Sequence, residues 1–169
     1  MIIISVLIVV GVVIDQATKA LALAKLTPGE PISIISDIFQ LSLLRNPGAA
    51  FGTGASLTVG FAILAIVVLT LLTFFVVPKV RSMVWAIPIG LGMAGMTGNF
   101  VDRLIRPPGI FQGHVIDFFA VKYFAVFNVA DIFLTVAAIL VVALTLFYKT
   151  DFTGTKTDRA DKDATVDEG

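Results

Sequence analysis

Two carboxylates stand in apolar surroundings that do not normally tolerate a charge. Asp117 lies inside the run Val115-Ile-Asp-Phe-Phe119, and Asp131 follows 14 positions later, at the start of a long apolar segment. Two carboxyl groups that lie close together cannot both ionise cheaply, so they share a proton and their apparent pKa values separate. Such a pair supplies a general base and a general acid at once, as hydrolysis of a peptide by water requires.

Other polar residues occur near the ends of the apolar segments. An ionisable group in a membrane costs several kcal/mol unless it faces a polar interior, so each is a functional candidate. The candidates besides the two aspartates are Asp15, Lys19, Asn46, Asn99, Asp102, Arg103 and Asn128.

The composition is that of a membrane protein. Apolar residues make up 57% of the 169 residues and charged residues 14%, whereas a soluble domain carries about 25% charged residues. The 12 basic and 12 acidic residues cancel, so nothing points to a nucleic-acid partner. With no cysteine and a single histidine, the chain lacks disulfides, thiolate metal sites and multi-histidine metal sites. We expect neither a metal nor another cofactor.

Four segments are long and apolar enough to cross a bilayer as helices, which takes roughly 20 residues each. We place the spans at about residues 1–24, 57–77, 83–101 and 127–148. The first could instead be a cleaved signal peptide, but it lacks a positive amino-terminal region and is interrupted by Asp15 and Lys19. The fold class is therefore mainly α, with both termini on one side. Lys79 and Arg81 in the tight second connection favour the cytoplasmic side, although the opposite loops are basic too.

The connection between the first two spans predicts a small β-sheet at the membrane surface. Residues 38–43 partly alternate apolar and polar side chains, the pattern of a strand with one buried face, and Asn46-Pro-Gly48 then predicts a turn. In the third span, Gly90, Ala94 and Gly98 form a stripe of small residues that favours close helix packing. Residues 150–169 are polar and mixed in charge, which predicts a disordered cytoplasmic tail.

This topology places the candidate residues together. If both termini lie on one side, the ends of spans one and three and the start of span four share one membrane face. Each residue nevertheless has a simpler explanation. Asp131 could cap a helix, Asp15 and Lys19 could form a surface ion pair, and Asp102 with Arg103 could anchor the chain at the interface. No cap or basic neighbour explains Asp117, whereas His114 is expected to be a loop residue.

Five short motifs occur in a fixed order along the chain. They are Asp15-Gln-Ala-Thr-Lys19, Arg45-Asn-Pro-Gly-Ala-Ala-Phe51, Gly98-Asn-Phe-Val-Asp-Arg103, Val115-Ile-Asp-Phe118 and Phe127-Asn-Val-Ala-Asp131. The ordered set closely resembles the bacterial lipoprotein signal peptidase family, also called signal peptidase II. The resemblance covers essentially all of the chain but its tail.

The resemblance implies an aspartic endopeptidase of the cytoplasmic membrane, with residues 1–149 as one membrane domain and the site at the extracytoplasmic face. Its substrates would be prolipoproteins, cleaved just before a lipobox cysteine that carries diacylglyceryl, and its other partners membrane lipids; we expect a monomer. On matching positions, Asp117 and Asp131 would be catalytic. The supporting residues would be Asp15, Lys19, Asn46, Asn99, Arg103 and Asn128. The segment between the two aspartates is short for this family.

Two other functional classes remain open at this point. A small transporter or channel subunit would use buried carboxylates to relay protons or bind cations, and it would show internal repeats, which the two halves lack. A membrane assembly factor without enzymatic activity would not need opposed aspartates at one face.

Overall fold

The computed structural model describes residues 1–48, 55–148 and 150–156. It contains four helices long and apolar enough to cross a membrane, together with a small antiparallel sheet, which confirms the predicted fold class. In chain order the elements are α1 (Ile2–Lys25), β1 (Ile32–Ile35), β2 (Phe39–Asn46), α2 (Ala55–Leu71), α3 (Met83–Ile105), β3 (Val115–Val121), β4 (Val126–Phe127) and α4 (Val129–Phe147). After α2 the chain continues through a π turn (Leu72–Val76) and a 3₁₀ turn (Val77–Lys79).

Helix α3 is the centre of the bundle and packs closely against both α1 and α4. Its small residues permit this, because a side chain would collide with the neighbouring helices. A Cβ atom on Gly90 would come within 2.8 Å of Leu7 on α1, and one on Gly95 within 2.5 Å of the Ala130 carbonyl oxygen on α4. The predicted packing role of the small-residue stripe is confirmed.

The sheet is larger than the sequence predicts. Its strands pair in the order β1-β2-β3-β4, all antiparallel, so half of the sheet comes from the connection between α3 and α4. The prediction of a sheet formed only between the first two helices is therefore incomplete. The apolar run at 115–119 has no alternation that would identify a strand, and it pairs with a strand some 70 positions away, beyond the reach of a local pattern.

One face of the sheet packs against the end of α1, and the other face carries Asp117. Ile116 and Phe118 are buried in an apolar cluster with Ala22 and Leu26 of α1. Because successive side chains in a strand point to opposite faces, Asp117 between them faces away from this cluster. Burial of its two neighbours thus fixes where the carboxylate points.

The start of the tail differs from the predicted disorder. Residues 150–156 form a tight turn with a bridge between Thr150 and Lys156, and the turn is held by Asp151, whose carboxylate accepts backbone hydrogen bonds from Thr153 and Thr155 at 2.9 Å. The Trp85 indole N–H also donates to the Thr150 carbonyl oxygen at 2.9 Å. Polar composition alone does not reveal a turn that closes on its own side chain. The rest of the predicted tail, 157–169, lies outside the described residues.

Replacement of Gly95 by alanine should destabilise the bundle by about 1–3 kcal/mol, because the new methyl group overlaps the backbone of α4. Gly60→Ala on α2 is the matched control: a Cβ atom there meets nothing within 4 Å, and alanine is the better helix former. Thermal unfolding in detergent should show a lowered midpoint for Gly95→Ala alone. Equal midpoints for the two variants would contradict the close α3–α4 contact.

Candidate active site

The first turn of α4 is closed by a reciprocal pair of hydrogen bonds. The Asn128 side-chain oxygen accepts from the Asp131 backbone N–H at 3.1 Å, and Asp131 Oδ2 accepts from the Asn128 backbone N–H at 3.0 Å. This is a capping box, with an acid where the helix N-terminus favours negative charge. Asp131 therefore caps α4, which was the simpler explanation for this residue, but the cap uses only one of its two carboxylate oxygens.

The second Asp131 oxygen joins a wider network. Oδ1 accepts from the Asn99 side-chain amide at 2.8 Å, so the carboxylate links α4 to α3. Asn128, which is fully buried, uses its own amide nitrogen to donate to Asp117 Oδ1 at 2.6 Å and to Asn99 Oδ1 at 3.1 Å. One asparagine side chain thus contacts Asp117 directly and holds Asp131 through the cap.

Asn46 supports Asp117 from the neighbouring strand. In the β2–β3 register Asp117 lies opposite Leu44, which makes Asn46 its diagonal neighbour on the same face. The Asn46 amide nitrogen donates to Asp117 Oδ2 at 2.9 Å. Its amide oxygen accepts from the Gly48 N–H at 2.8 Å, within a turn where Gly48 has φ of 90°. Since both ends of the amide are engaged, the donor is fixed towards Asp117.

Asp117 is 2% exposed, and this burial raises its pKa from 3.8 to about 6. The hydrogen bonds from Asn46 and Asn128 act in the opposite direction, because they stabilise the ionised carboxylate, while the Asp131 charge raises the pKa further. Desolvation prevails over the amide donors. Asp117 is accordingly able to keep a proton at pH values where an exposed aspartate is ionised.

A buried ion cluster lies behind these residues. The Lys19 ammonium contacts Asp15 Oδ2 at 2.9 Å and Asp102 Oδ2 at 2.7 Å, and all three side chains have no exposure. Its third bond goes to Asn99 Oδ1 at 2.9 Å, while Asp15 Oδ1 accepts from the Ala130 N–H at 3.0 Å. Asp15 and Lys19 do form the ion pair that the sequence allows, but the pair is buried and not on the surface.

Two residues of this cluster, Gln16 and Arg106, were not among the sequence candidates, and for Asp102 the sequence left open a role as an interfacial anchor. Asp102 is fully buried and pairs with Lys19 and Arg106, so it is not an interfacial anchor. Gln16 donates to both Asp15 and Asp102, at 3.1 and 3.3 Å. The four-residue spacing of Asp102 and Arg106 is the signal that could have indicated their pairing.

Arg103 lies beside the network, not within it. Its Nη1 donates to the Asn99 backbone carbonyl oxygen at 2.9 Å, and its guanidinium lies 5.7 Å from the Phe61 ring centre. The buried Nε has no hydrogen-bond partner among the described residues. The Arg45–Phe51 motif is described only as far as Gly48, so residues 49–51 lie outside the described part of the chain.

Two open clefts reach the network from different sides of α4. One, of about 390 Å³, ends at Asp131 and is lined by Phe124, Phe127, Ile132, Thr135 and Val136. The other, of about 270 Å³, ends at Asn99 and Arg103 between α2, α3 and α4. Within the described ranges no cluster of three or more acidic, histidine or cysteine side chains could hold a metal ion. The available groups suit proton transfer and hydrogen bonding to a peptide.

The family model for Signal peptidase (SPase) II matches residues 7–147 of the chain. The chain belongs to the signal peptidase II family. It is 46% identical to a lipoprotein signal peptidase from Streptomyces griseus over 136 residues, covering 80% of this chain and 69% of that protein. A protein of the same name from Streptomyces coelicolor is 44% identical over 131 residues, covering 78% and 64%. The match thus spans about two thirds of these relatives' length.

A solved bacterial membrane enzyme, whose structure was determined by the in meso method at 1.9 Å resolution, has the same fold as this member of the signal peptidase II family. Its TM-score is 0.73 at 30% sequence identity, and the alignment covers 87% of this chain and 94% of the other. The four-helix arrangement with its sheet is therefore shared with a solved membrane enzyme.

Wild-type protein should lose stability relative to Asp117→Asn as the pH rises from about 4 to 7. The folded-state pKa of Asp117 is raised, so its contribution to stability is full below pH 3.8 and is lost as the pH rises through about 6. At about 1.4 kcal/mol per pH unit, the relative loss is about 3 kcal/mol at most. Thermal midpoints of both proteins in detergent across this range measure it. A pH-independent difference would rule out the raised pKa.

Proposed function

We propose that this chain is a lipoprotein signal peptidase: an aspartic endopeptidase that cleaves the signal peptide from prolipoproteins just before a cysteine carrying diacylglyceryl. Family membership and the relatives' names support the substrate class. The observation that carries the chemistry is that one buried residue, Asn128, donates to both carboxylates: its side-chain amide to Asp117 and its backbone N–H to Asp131. A transporter or an assembly factor would not need two carboxylates joined in this way.

In this proposal Asp131 is the general base and Asp117 the general acid. The Asp131 carboxylate accepts one hydrogen bond on each oxygen, from the Asn99 side chain and from the Asn128 backbone N–H, so it is held in place at the start of α4. Burial raises the pKa of Asp117 and favours its protonated form. In the proposed starting state the pair holds one proton, on Asp117, which is the state that a peptidase of this kind requires.

In the proposed reaction each proton is transferred by one of the two aspartates, and the pair ends with the one proton with which it began. Asp131 takes a proton from water as the water oxygen bonds to the scissile carbonyl carbon, and Asp117 gives its proton to the carbonyl oxygen. The proton held by Asp131 then passes to the leaving nitrogen as the carbon–nitrogen bond breaks, and Asp117 regains its proton from the collapsing intermediate. The products are the signal peptide's carboxyl end and a free amino group on the lipid-modified cysteine.

The supporting side chains would hold the substrate and orient the pair. Asn46, Asn99 and Asn128 each donate to one of the two aspartates, which fixes the carboxyl planes. Arg103 lines the second cleft, and guanidinium donors suit peptide carbonyl groups. The first cleft is lined by α4 and the β3–β4 hairpin and the second by three membrane-spanning helices, so a substrate can reach the pair while its lipid chains stay in the bilayer.

The proposed function also implies how the protein is oriented in the membrane. The sheet and the aspartates lie at the end of the bundle opposite both the α2–α3 connection and the start of α1. We place that end at the extracytoplasmic face of the bacterial cytoplasmic membrane, with both termini in the cytoplasm and the enzyme acting as a monomer.

Asp117→Asn and Asp131→Asn should each lower the cleavage rate of a diacylglyceryl-modified prolipoprotein by about 10²–10⁴-fold, because each variant lacks one partner in proton transfer. The measurement is product formation by purified protein in micelles, with circular dichroism to verify folding. Asp37→Asn is the matched control, since this sheet carboxylate is exposed and pairs only with Lys122 among the described residues.

The control variant should keep the wild-type rate. Near wild-type cleavage by either of the other two variants would refute the assignment of that aspartate, whatever the outcome for the substrate class.

Single cysteines introduced at Asp37 and at Lys79 should label from opposite sides of intact cells, because they lie at opposite ends of the bundle. The native chain has no cysteine, so no background has to be removed. A membrane-impermeant maleimide should modify the Asp37→Cys variant on whole cells or spheroplasts, and the Lys79→Cys variant only after permeabilisation. The reverse pattern would invert the proposed orientation.

A further inference from the structure

Asp102 is the most connected carboxylate in the described part of the chain outside the proposed catalytic pair. Its Oδ2 accepts from Lys19 Nζ at 2.7 Å and from the Ile116 backbone N–H at 3.3 Å. Its Oδ1 accepts from Arg106 Nε at 2.6 Å and from Gln16 Nε2 at 3.3 Å. One fully buried side chain therefore joins α1, the end of α3 and β3.

The first connection leads to Asp131. An ammonium group only donates, so Lys19 requires an oxygen at Asn99 and receives Oδ1 at 2.9 Å. The Asn99 nitrogen must then face Asp131 Oδ1, to which it donates at 2.8 Å. The Asn128 amide also donates to Asn99 Oδ1, at 3.1 Å, so Lys19 is the charged one of two donors that hold the Asn99 oxygen away from the carboxylate. Asp102 is one of the two acids that hold Lys19 there.

The second connection leads to Asp117. The Ile116 N–H belongs to the residue directly before Asp117, and Ile116 itself has no exposure. A buried N–H without an acceptor is costly. The hydrogen bond from the Ile116 N–H to Asp102 therefore fixes the position of β3 relative to the end of α3. Gly113 keeps this approach open, because a Cβ atom there would overlap the backbone of α3 at Asp102.

We propose that Asp102 is a positioning residue of the peptidase, which sets the geometry and charge balance of both aspartates through the Lys19–Asn99 pair and the Ile116 N–H. The inference rests on the proposed function. Asp102 touches neither aspartate, and it acts only through these two contacts.

Charge balance gives this role a signature that mere structural support would lack. The charged groups on the elements around Asp102 are Asp15, Lys19 and Lys25 on α1, Arg103 and Arg106 at the end of α3, Asp117 on β3 and Asp131 on α4. The Lys19 charge lowers the pKa of Asp117. Neutralising Asp102 leaves Lys19 less compensated and lowers that pKa, whereas neutralising Lys19 raises it.

Under the proposed mechanism the pair must keep one proton, so the alkaline limb of the pH–kcat/KM profile reports its loss. Asp102→Asn should move this limb to lower pH, and Lys19→Met should move it to higher pH. Both variants should lower kcat, by up to about 100-fold, with KM changed far less, because a small misplacement of catalytic groups has an effect of this size. The assay is cleavage of a lipid-modified prolipoprotein in micelles.

Folding is separated from positioning within the same measurements. The folded fraction of each variant is measured by circular dichroism at every pH, and the activity is divided by it, so that the limb position reports only the folded molecules. If Asp102→Asn does not fold, the Lys19→Met variant alone tests the proposal, since the positioning role requires its alkaline limb to move to higher pH.

Limbs that coincide with the wild type, or that move in the same direction in both variants, would overturn the positioning role. If Asp117→Asn and Asp131→Asn are inactive while Asp102→Asn has the wild-type kcat and limb, only this inference fails. If Asp117→Asn and Asp131→Asn remain active, the proposed function fails first.

Discussion

The ammonium group of Lys19 between two buried carboxylates is the interaction on which the rest of the site depends. It joins the middle of α1 to the end of α3 where neither Asp15 nor Asp102 has any contact with solvent. Removal of one partner from such a buried pair typically costs about 3–5 kcal/mol, because the other charge is left uncompensated. Since the same ammonium, together with the Asn128 amide, fixes the orientation of Asn99, it contributes both to helix packing and to the direction of the hydrogen bonds at the site.

The membrane helices and the principal polar residues could be predicted because both follow from a local rule. A bilayer demands about 20 apolar residues in a row, and the four helices satisfy this within their own segments. The same demand makes each charge conspicuous, so Asp15, Lys19 and Asp117 stand out from the apolar residues around them. The break of β2 at Asn46 was equally local, since it follows from the turn at Gly48.

The remaining features depend on partners that are distant in sequence. Strand β3 forms because β2 lies beside it, and its apolar run could have served in a helix equally well. Asp102 looked like half of an exposed pair with Arg103, but it turns inwards because Lys19 and the Ile116 N–H meet it there. Neither partner is evident from the segment itself. Local patterns therefore predicted which residues are unusual better than they predicted which residues touch.

The two aspartates belong to parts of the molecule that differ in mechanical support. Asp131 lies in the first turn of a helix packed along the bundle, whereas Asp117 lies on a four-stranded sheet that meets the helices through the cluster around Leu26 and Phe118 and through the bond of the Ile116 N–H to Asp102. A displacement of the sheet against the helices would therefore change the separation of the carboxylates directly. A ligand that rests on the sheet would therefore act on the spacing of the two aspartates, because the sheet carries Asp117 while helix α4 carries Asp131.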